Sequence, residues 1–449
     1  VAQRLEYRLV DLAAALRSGE LDLLAYLEAL EARIGRVDPR LHALLPEERR
    51  LERLRRLAEA LLARYPEPAS RPALFGVPVG VKDIFHVDGF PTRAGSWLPA
   101  ELFQGPQAEC VSVLEAAGAL VLGKTVTTEL AFLAPGPTRN PRAPGHTPGG
   151  SSSGSAAAVA AGLCPLALGT QTVGSLVRPA AFCGIVAFKP SSERVPRAGV
   201  VPLSPSLDHV GILTTDVASA ALAAGVLCRD WRAAEVDVNG LPVLGVPEGP
   251  YLDRAGAVAQ AHFRATLQRV AAAGFVVQPV PVMADFAAIV ERHYRLVAGE
   301  AATVHAQWLS TYRERLHPET IALIERGMAV TAAELDAARD GREALRDELT
   351  AALGAHGIDA WIAPSAVGPA PEGLARTGDP VMNLPWTHAG LPVVGLPSGT
   401  NDAGLPLGVQ LVGRWQADEA VLAWAGAVER VLGVMATAKV GEGALPGAG

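Results

Sequence analysis

A chain of 449 residues with 49% hydrophobic and 19% charged residues can bury a substantial core, either as about two or three average domains or as one large α/β unit. Its net charge of -7 leaves no basic excess to attract phosphate backbones, so nucleic acid is not an expected partner. The four cysteines, Cys110, Cys164, Cys183 and Cys228, lie far apart with no CxxC pair. That spacing argues against a zinc knuckle or a dense disulfide framework and fits buried free thiols in a reducing compartment.

The first residues, VAQRLEYRLVD, carry charges where a signal peptide needs an apolar core. No apolar run reaches membrane-spanning length. A cytoplasmic protein with no membrane partner is therefore expected. Residues 1–65 read as a helical arm: Leu23, Leu27, Leu30 and Ile34 fall on one face, Gly19 can end the preceding helix, and Pro39 is expected to stop this one. Leu51, Leu54, Leu57 and Leu61 mark another amphipathic helix.

From Leu74 the texture changes to short β-rich runs between glycines and prolines. VPVGV, ALVLG, VLGV, FVVQPV, DAWIAP and PVVGLP alternate with helical stretches. The alternation predicts an α/β fold, a mixed and mostly parallel central sheet with helices on both faces, over residues 66–440. Residues 286–353 read as mostly helical, with Thr331 and Glu334 in a capping-box pattern. A closing helix is expected near Asp418. Residues 134–150 form a Gly/Pro-rich loop, and the tail 441–449, GEGALPGAG, is expected to be disordered.

Small and hydroxylated residues are densest from Thr147 to Pro190. Here GGSSSGS supplies Ser151, Ser152, Ser153 and Ser155, and TQTVGS supplies Ser175. Backbone N–H groups of Thr172, Val173, Gly174 and Ser175 can converge on one point, which is how an oxyanion hole is built. A serine hydroxyl needs a base, and no histidine stands in a recognisable arrangement with either site. GVPVGVKDIF instead places Lys82 at the end of an apolar run, where a strand would emerge into a cleft.

The GVPVGVKD, GGSSSGSAAA and GTQTVGSLVRPAAFCG segments together resemble the amidase signature family, from about Leu9 to Leu432. The resemblance implies a Ser-cisSer-Lys triad: Ser175 as nucleophile, Ser151 as the bridging serine on a cis peptide, and Lys82 as base. Ser151 and Ser175 stand 24 positions apart, the family's spacing. The family usually has Gly-Gly before the nucleophile, where this chain has Val173-Gly174. Arg178, at the offset where malonamidase-like relatives contact a substrate carboxylate, is a candidate substrate contact, as are Gly150 and Ser152. An equal alternative has Arg178 satisfying backbone carbonyls or a core aspartate such as Asp208.

The implied chemistry is acyl transfer in two steps, with no metal or organic cofactor. Neutral Lys82 takes the proton of Ser151, Ser151 takes that of Ser175, and water later releases the acyl group. Lys82 must then fall from a pKa of roughly 10.4 towards about 7–8, through apolar neighbours and nearby positive charge. Implied substrates are small molecules: amides, with aryl amides and carbamates or urethanes within reach, or alternatively small carboxylated amides of the malonamate or allophanate kind. The amidotransferase A subunit that services glutamyl-tRNA usually carries Asp where Gln171 stands, which disfavours that role. In the family, the N-terminal arm often packs against a second protomer, which makes a homodimer an expectation, and the 286–353 region contributes to the substrate entrance.

Two competing motifs fail on context. Gly118 to Thr125 matches the P-loop pattern letter for letter, but the residues between its glycines read as strand rather than phosphate-wrapping loop, leaving Lys124 structural or at a rim. Gly150 to Gly154 matches GxSxG, with Asp359 and His388 in the order of an α/β-hydrolase triad. The residues before it, NPRAPGHTPGG, are loop where a nucleophile elbow needs a strand.

Overall fold

The computed structural model describes residues 7–232, 240–433, 435–438 and 440. Among the described residues ten strands form one sheet: β1 (Pro78–Lys82), β2 (Leu120–Thr125), β3 (Leu166–Gln171), β4 (Val186–Lys189), β5 (His209–Thr214), β6 (Leu244–Glu248), β7 (Val277–Pro281), β8 (Ala360–Pro364), β9 (Val393–Thr400) and β10 (Pro406–Val412). Their order is β2-β1-β3-β5-β4-β9-β10-β8-β6-β7. Every residue of β1, β3, β4, β5 and β8 is buried. Such strands have both faces covered, so their sequences lack the inside–outside alternation of a half-exposed strand.

The sheet is mixed as expected, but parallel pairs do not predominate. Parallel pairing is confined to the two ends, β2-β1-β3 and β8-β6-β7. The pairs between them are antiparallel. One cause is local: β9 and β10 are joined by a tight turn closed by the Asn401 N–H to Leu405 O bond of 2.9 Å, and a short hairpin can only pair antiparallel.

The N-terminal arm forms helices Leu9–Ser18, Leu23–Leu41 and Arg50–Arg64. Gly19 ends the first in the left-handed region, φ 80°, as its lack of a Cβ allows. Pro39 does not stop the second. It lies in the last turn, where it removes one i→i−4 hydrogen bond without breaking the helix, which ends at His42 instead. The third helix buries Arg50, Leu54 and Ala58, while Leu57 is exposed, so its inward stripe is narrower than the leucine spacing suggests. Arg50 is drawn inward by Glu47 and Glu31. The arm also covers the edge of the sheet: Leu45 N–H donates to Lys124 O (2.8 Å), and Arg53 donates to Val121 O (2.8 Å) and Leu122 O (2.9 Å).

Residues 286–353 are helical as read, in Phe286–Tyr312, Pro318–Met328 and Ala332–His356. The capping box is formed: Glu334 N–H donates to Thr331 Oγ1, and the Glu334 carboxylate accepts from Thr331 N–H. Asp418–Leu432 closes the fold. The GEGALPGAG tail lies outside the described residues.

Candidate active site

β1 delivers Lys82 to its C-terminal end with the side chain fully buried. The Lys82 ammonium nitrogen lies 2.7 Å from Ser151 Oγ and 2.8 Å from Thr170 Oγ1. Thr170 reaches it because β1 and β3 run parallel with Val81 opposite Leu168. Ser151 follows a cis Gly150-Ser151 peptide. The helix Ser153–Ala160 then lies close against the arm and the end of β2, and small residues permit this: a Cβ on Gly154 would stand 2.2 Å from Ala43 O and 2.3 Å from Val126 N.

Ser175 sits in the turn between β3 and the helix Val177–Cys183, and its carbonyl accepts from Ser152 N–H (3.3 Å), which joins the two serine segments. Gln171 organises that turn. Its Oε1 accepts from Leu176 and Val177 N–H at 2.9 and 3.0 Å, and its Nε2 donates to Thr387 Oγ1 (2.9 Å). Thr387 Oγ1 in turn donates to Val173 O (2.8 Å). The turn's carbonyls and flanking amides are thus engaged. Among the described residues nothing accepts from the N–H groups of Val173, Gly174 or Ser175. Preorganised, unpaired amides of this kind can hold an oxyanion.

Neither Val173 nor Gly174 takes positive φ, so valine fits where the family has glycine. Gly174 is required for another reason. A Cβ there would stand 2.5 Å from Asn383 Oδ1 and 2.9 Å from Pro380 Cβ.

Burial pushes Lys82 down to about 7, and Asp208 opposes that shift. The positive neighbour expected from the sequence is not among the causes; desolvation alone lowers the value. Lys189 is also buried and also lowered to about 7, yet its Nζ donates to Leu391 O (2.5 Å) and Pro190 O (3.1 Å). A depressed lysine is therefore not sufficient to mark the site. The serine hydroxyl against Lys82 is what distinguishes it.

Arg178 is buried, and its Nη2 donates to Gly150 O (2.7 Å) and Thr377 Oγ1 (3.2 Å). Its Nε and Nη1 have no partner among the described residues, and burial lowers the guanidinium to about 10. The carbonyl-satisfying alternative is thus half met, by Gly150 rather than by Asp208. Ser152 does not point to a substrate: its Oγ donates to Thr170 O (3.2 Å) and accepts from Thr170 N–H (3.3 Å).

The rival triad does not assemble. Asp359 accepts from Val243 N–H, and His388 Nδ1 faces His293 Nδ1 at 3.3 Å. In the P-loop look-alike, Leu120–Thr125 is buried strand, and Lys124 is a structural lysine paired with Asp83 at 2.8 Å and with Phe85 O. The four cysteines are buried and free. Sequence reasoning missed Thr170, Thr387 and Asn383 and gave Asp208 only a passing role. Thr170 could have been found from its place two residues before Thr172 in GTQT. Thr387 and Asn383 arrive from more than two hundred positions away and carry no local signal.

Comparison with known proteins agrees with this geometry. The amidase family model matches residues 25–422. The glutamyl-tRNA(Gln) amidotransferase A subunit of Synechococcus sp. (strain WH7803) is 32% identical, over 94% of this chain and 96% of that one. The AtzE subunit of the 1-carboxybiuret hydrolase of Pseudomonas sp. (strain ADP) is 32% identical, over 90% of this chain and 94% of its own. A crystal structure of an amidase superposes with TM-score 0.85 at 35% identity, over 95% of this chain and all of the other. With the family matched over most of its length and the fold shared, the chain belongs to the amidase signature family, hydrolases that act on C–N bonds.

Proposed function

We propose that the chain hydrolyses small non-peptide amides through an acyl-enzyme on Ser175, with Ser151 as proton relay and Lys82 as base. The observation that carries this reading is the 2.7 Å contact between a fully buried Lys82 amine and Ser151 Oγ. A lysine lowered to about 7 is half deprotonated near neutrality, and can accept the Ser151 proton while Ser151 takes that of Ser175. Ser175 then attacks the carbonyl, and the N–H groups of residues 172–175 receive the developing negative charge. Ser151 returns a proton to the leaving amine, and water activated through the same relay releases the acid. Carbamates present the same carbonyl beside nitrogen and the same leaving group, so urethane bonds fall within this chemistry.

A second reading has one observation in its favour. Arg178 keeps two buried nitrogens, Nε and Nη1, without partners among the described residues, and a carboxylate on the substrate would satisfy one of them. On this reading the substrates are small carboxylated amides, a class that the carboxybiuret hydrolase relative brings to mind by name. A panel of neutral aryl amides, carbamates, free glutamine and carboxylated amides, run on wild type and Arg178→Ala, separates the two. The principal reading predicts turnover of neutral aryl amides with kcat/KM little changed by the substitution. A rise in KM confined to carboxylated substrates, about tenfold or more, favours the second. No hydrolysis of any amide or carbamate by the wild type contradicts both.

A further inference from the structure

Asp208 stands immediately before β5, and the antiparallel register of β3 with β5 pairs Gln171 with His209. That register brings Asp208 opposite Thr172, the first residue of the candidate oxyanion turn. Thr172 Oγ1 donates to Asp208 Oδ1 at 2.5 Å. The other carboxylate oxygen accepts from Leu203 N–H (2.9 Å) and Ser204 N–H (3.0 Å), so the carboxylate is held from both sides. No described lysine or arginine nitrogen forms an ion pair with it within 4 Å. It also lines two cavities, of about 420 and 600 Å³, that meet at Arg197, Pro205 and Asp208.

Building on the proposed triad, we infer that Asp208 is a positioning residue of the reaction. It fixes the Thr172 hydroxyl, and through it the turn that presents the oxyanion-binding N–H groups, and it supplies the negative charge that acts on Lys82 from outside the triad. Two backbone hydrogen bonds, from Leu203 and Ser204, fix the carboxylate, and the third, from Thr172, ties to it a segment that must hold its amides within tenths of an ångström of the carbonyl oxygen. The same charge favours the protonated lysine and thereby counteracts burial, keeping the base from becoming too weak to take a serine proton.

The charged groups facing Asp208 are few. Lys82 and Arg197 are the cations whose charge couples to it, and neighbouring His209 is held neutral by burial. Across the larger cavity, Glu300 is engaged by Ser204, Ser206 and Arg339, and Arg342 and Glu343 line the same wall. Burial raises Asp208 itself to about 6, so it is mostly ionised where Lys82 is active.

The test compares pH–rate profiles from pH 5 to 9 for wild type, Asp208→Asn, Thr172→Val and Lys82→Ala, with thermal melting of each. Thr172→Val should lower kcat about 10- to 100-fold, with KM moved less and the acid limb in place. Asp208→Asn should lower kcat similarly and move the acid limb to lower pH, because Lys82 loses the charge that holds its proton. Near-wild-type kcat and an unmoved acid limb in both variants, with Lys82→Ala inactive, would overturn the role of Asp208 alone. So would activity losses that merely track lowered melting temperatures with no change in profile. Full turnover in Lys82→Ala would instead overturn the triad and this inference with it. If Asp208→Asn does not fold, Thr172→Val carries the test, and an unchanged kcat there refutes the inference.

Discussion

The role proposed for Lys82 opposes stability. Its folded pKa is about 7 against an ordinary 10.5, so between those values the unfolded chain binds the extra proton. Stability from this group therefore rises with pH across pH 7 to 10.5, at up to about 1.4 kcal/mol per pH unit, and its penalty is complete below pH 7. Lys189 adds a slope of the same sign, so the comparison must isolate Lys82. In Lys82→Met the stability curve should be flatter than wild type over pH 7 to 10, read by urea denaturation. Parallel curves would mean that Lys82 keeps its proton in the folded protein and cannot serve as the base. The residues of the candidate site were largely legible beforehand. Lys82, Ser151 and Ser175 each lie in a motif, and the cis Gly150-Ser151 peptide stands where the resemblance placed it. Ser152 was misread because a hydroxyl in a glycine-serine run gives no hint that it will fold back onto Thr170.

At the scale of elements, the turn from Gln171 to Ser175 depends on a partner segment far along the chain. Thr387 and Asn383 press on it from the region of the short helix Leu384–His388. Gly174→Ala should therefore lower kcat by about 100-fold, since its Cβ would displace Asn383 or the turn itself and shift the amides proposed to receive the oxyanion. The expected change in unfolding free energy is smaller, about 1–3 kcal/mol, as for other overpacking substitutions. Wild-type kcat in a folded Gly174→Ala protein would show that the turn has slack that the contact distances deny. Strands β3, β4, β5 and β10 were not legible as strands. LALGTQ, VAFK, HVGILT and PLGVQLV are short, buried and lack alternation, and β3 and β5 each contain a glycine. Those glycines are needed for packing: Gly169 and Gly211 face each other, and a Cβ on either would strike Leu176.

Across the whole molecule, one continuous hydrophobic core runs from Leu9 in the arm to Val428 in the last helix, so the arm is built into the fold rather than appended to it. Helix positions, the capping box and the α/β class could be read from periodicity and caps. The antiparallel middle of the sheet could not, because strand direction depends on which distant strands become neighbours. The same long-range assembly makes the candidate site: β1, the cis-serine loop and the residues preceding β5 come from separate stretches and meet the end of β3 and the turn that follows it, at Thr170, Ser175 and Thr172. The most direct test of that convergence is the rate at which a phosphonyl fluoride modifies the protein as a function of pH, with the modified residue mapped in wild type and Lys82→Ala. The account predicts label on Ser175, a rate that rises through an apparent pKa near 7 in wild type, and loss of that inflection with a rate lower by several orders of magnitude in Lys82→Ala. Label on Ser152 or another serine, or an unchanged pH profile without Lys82, would contradict it.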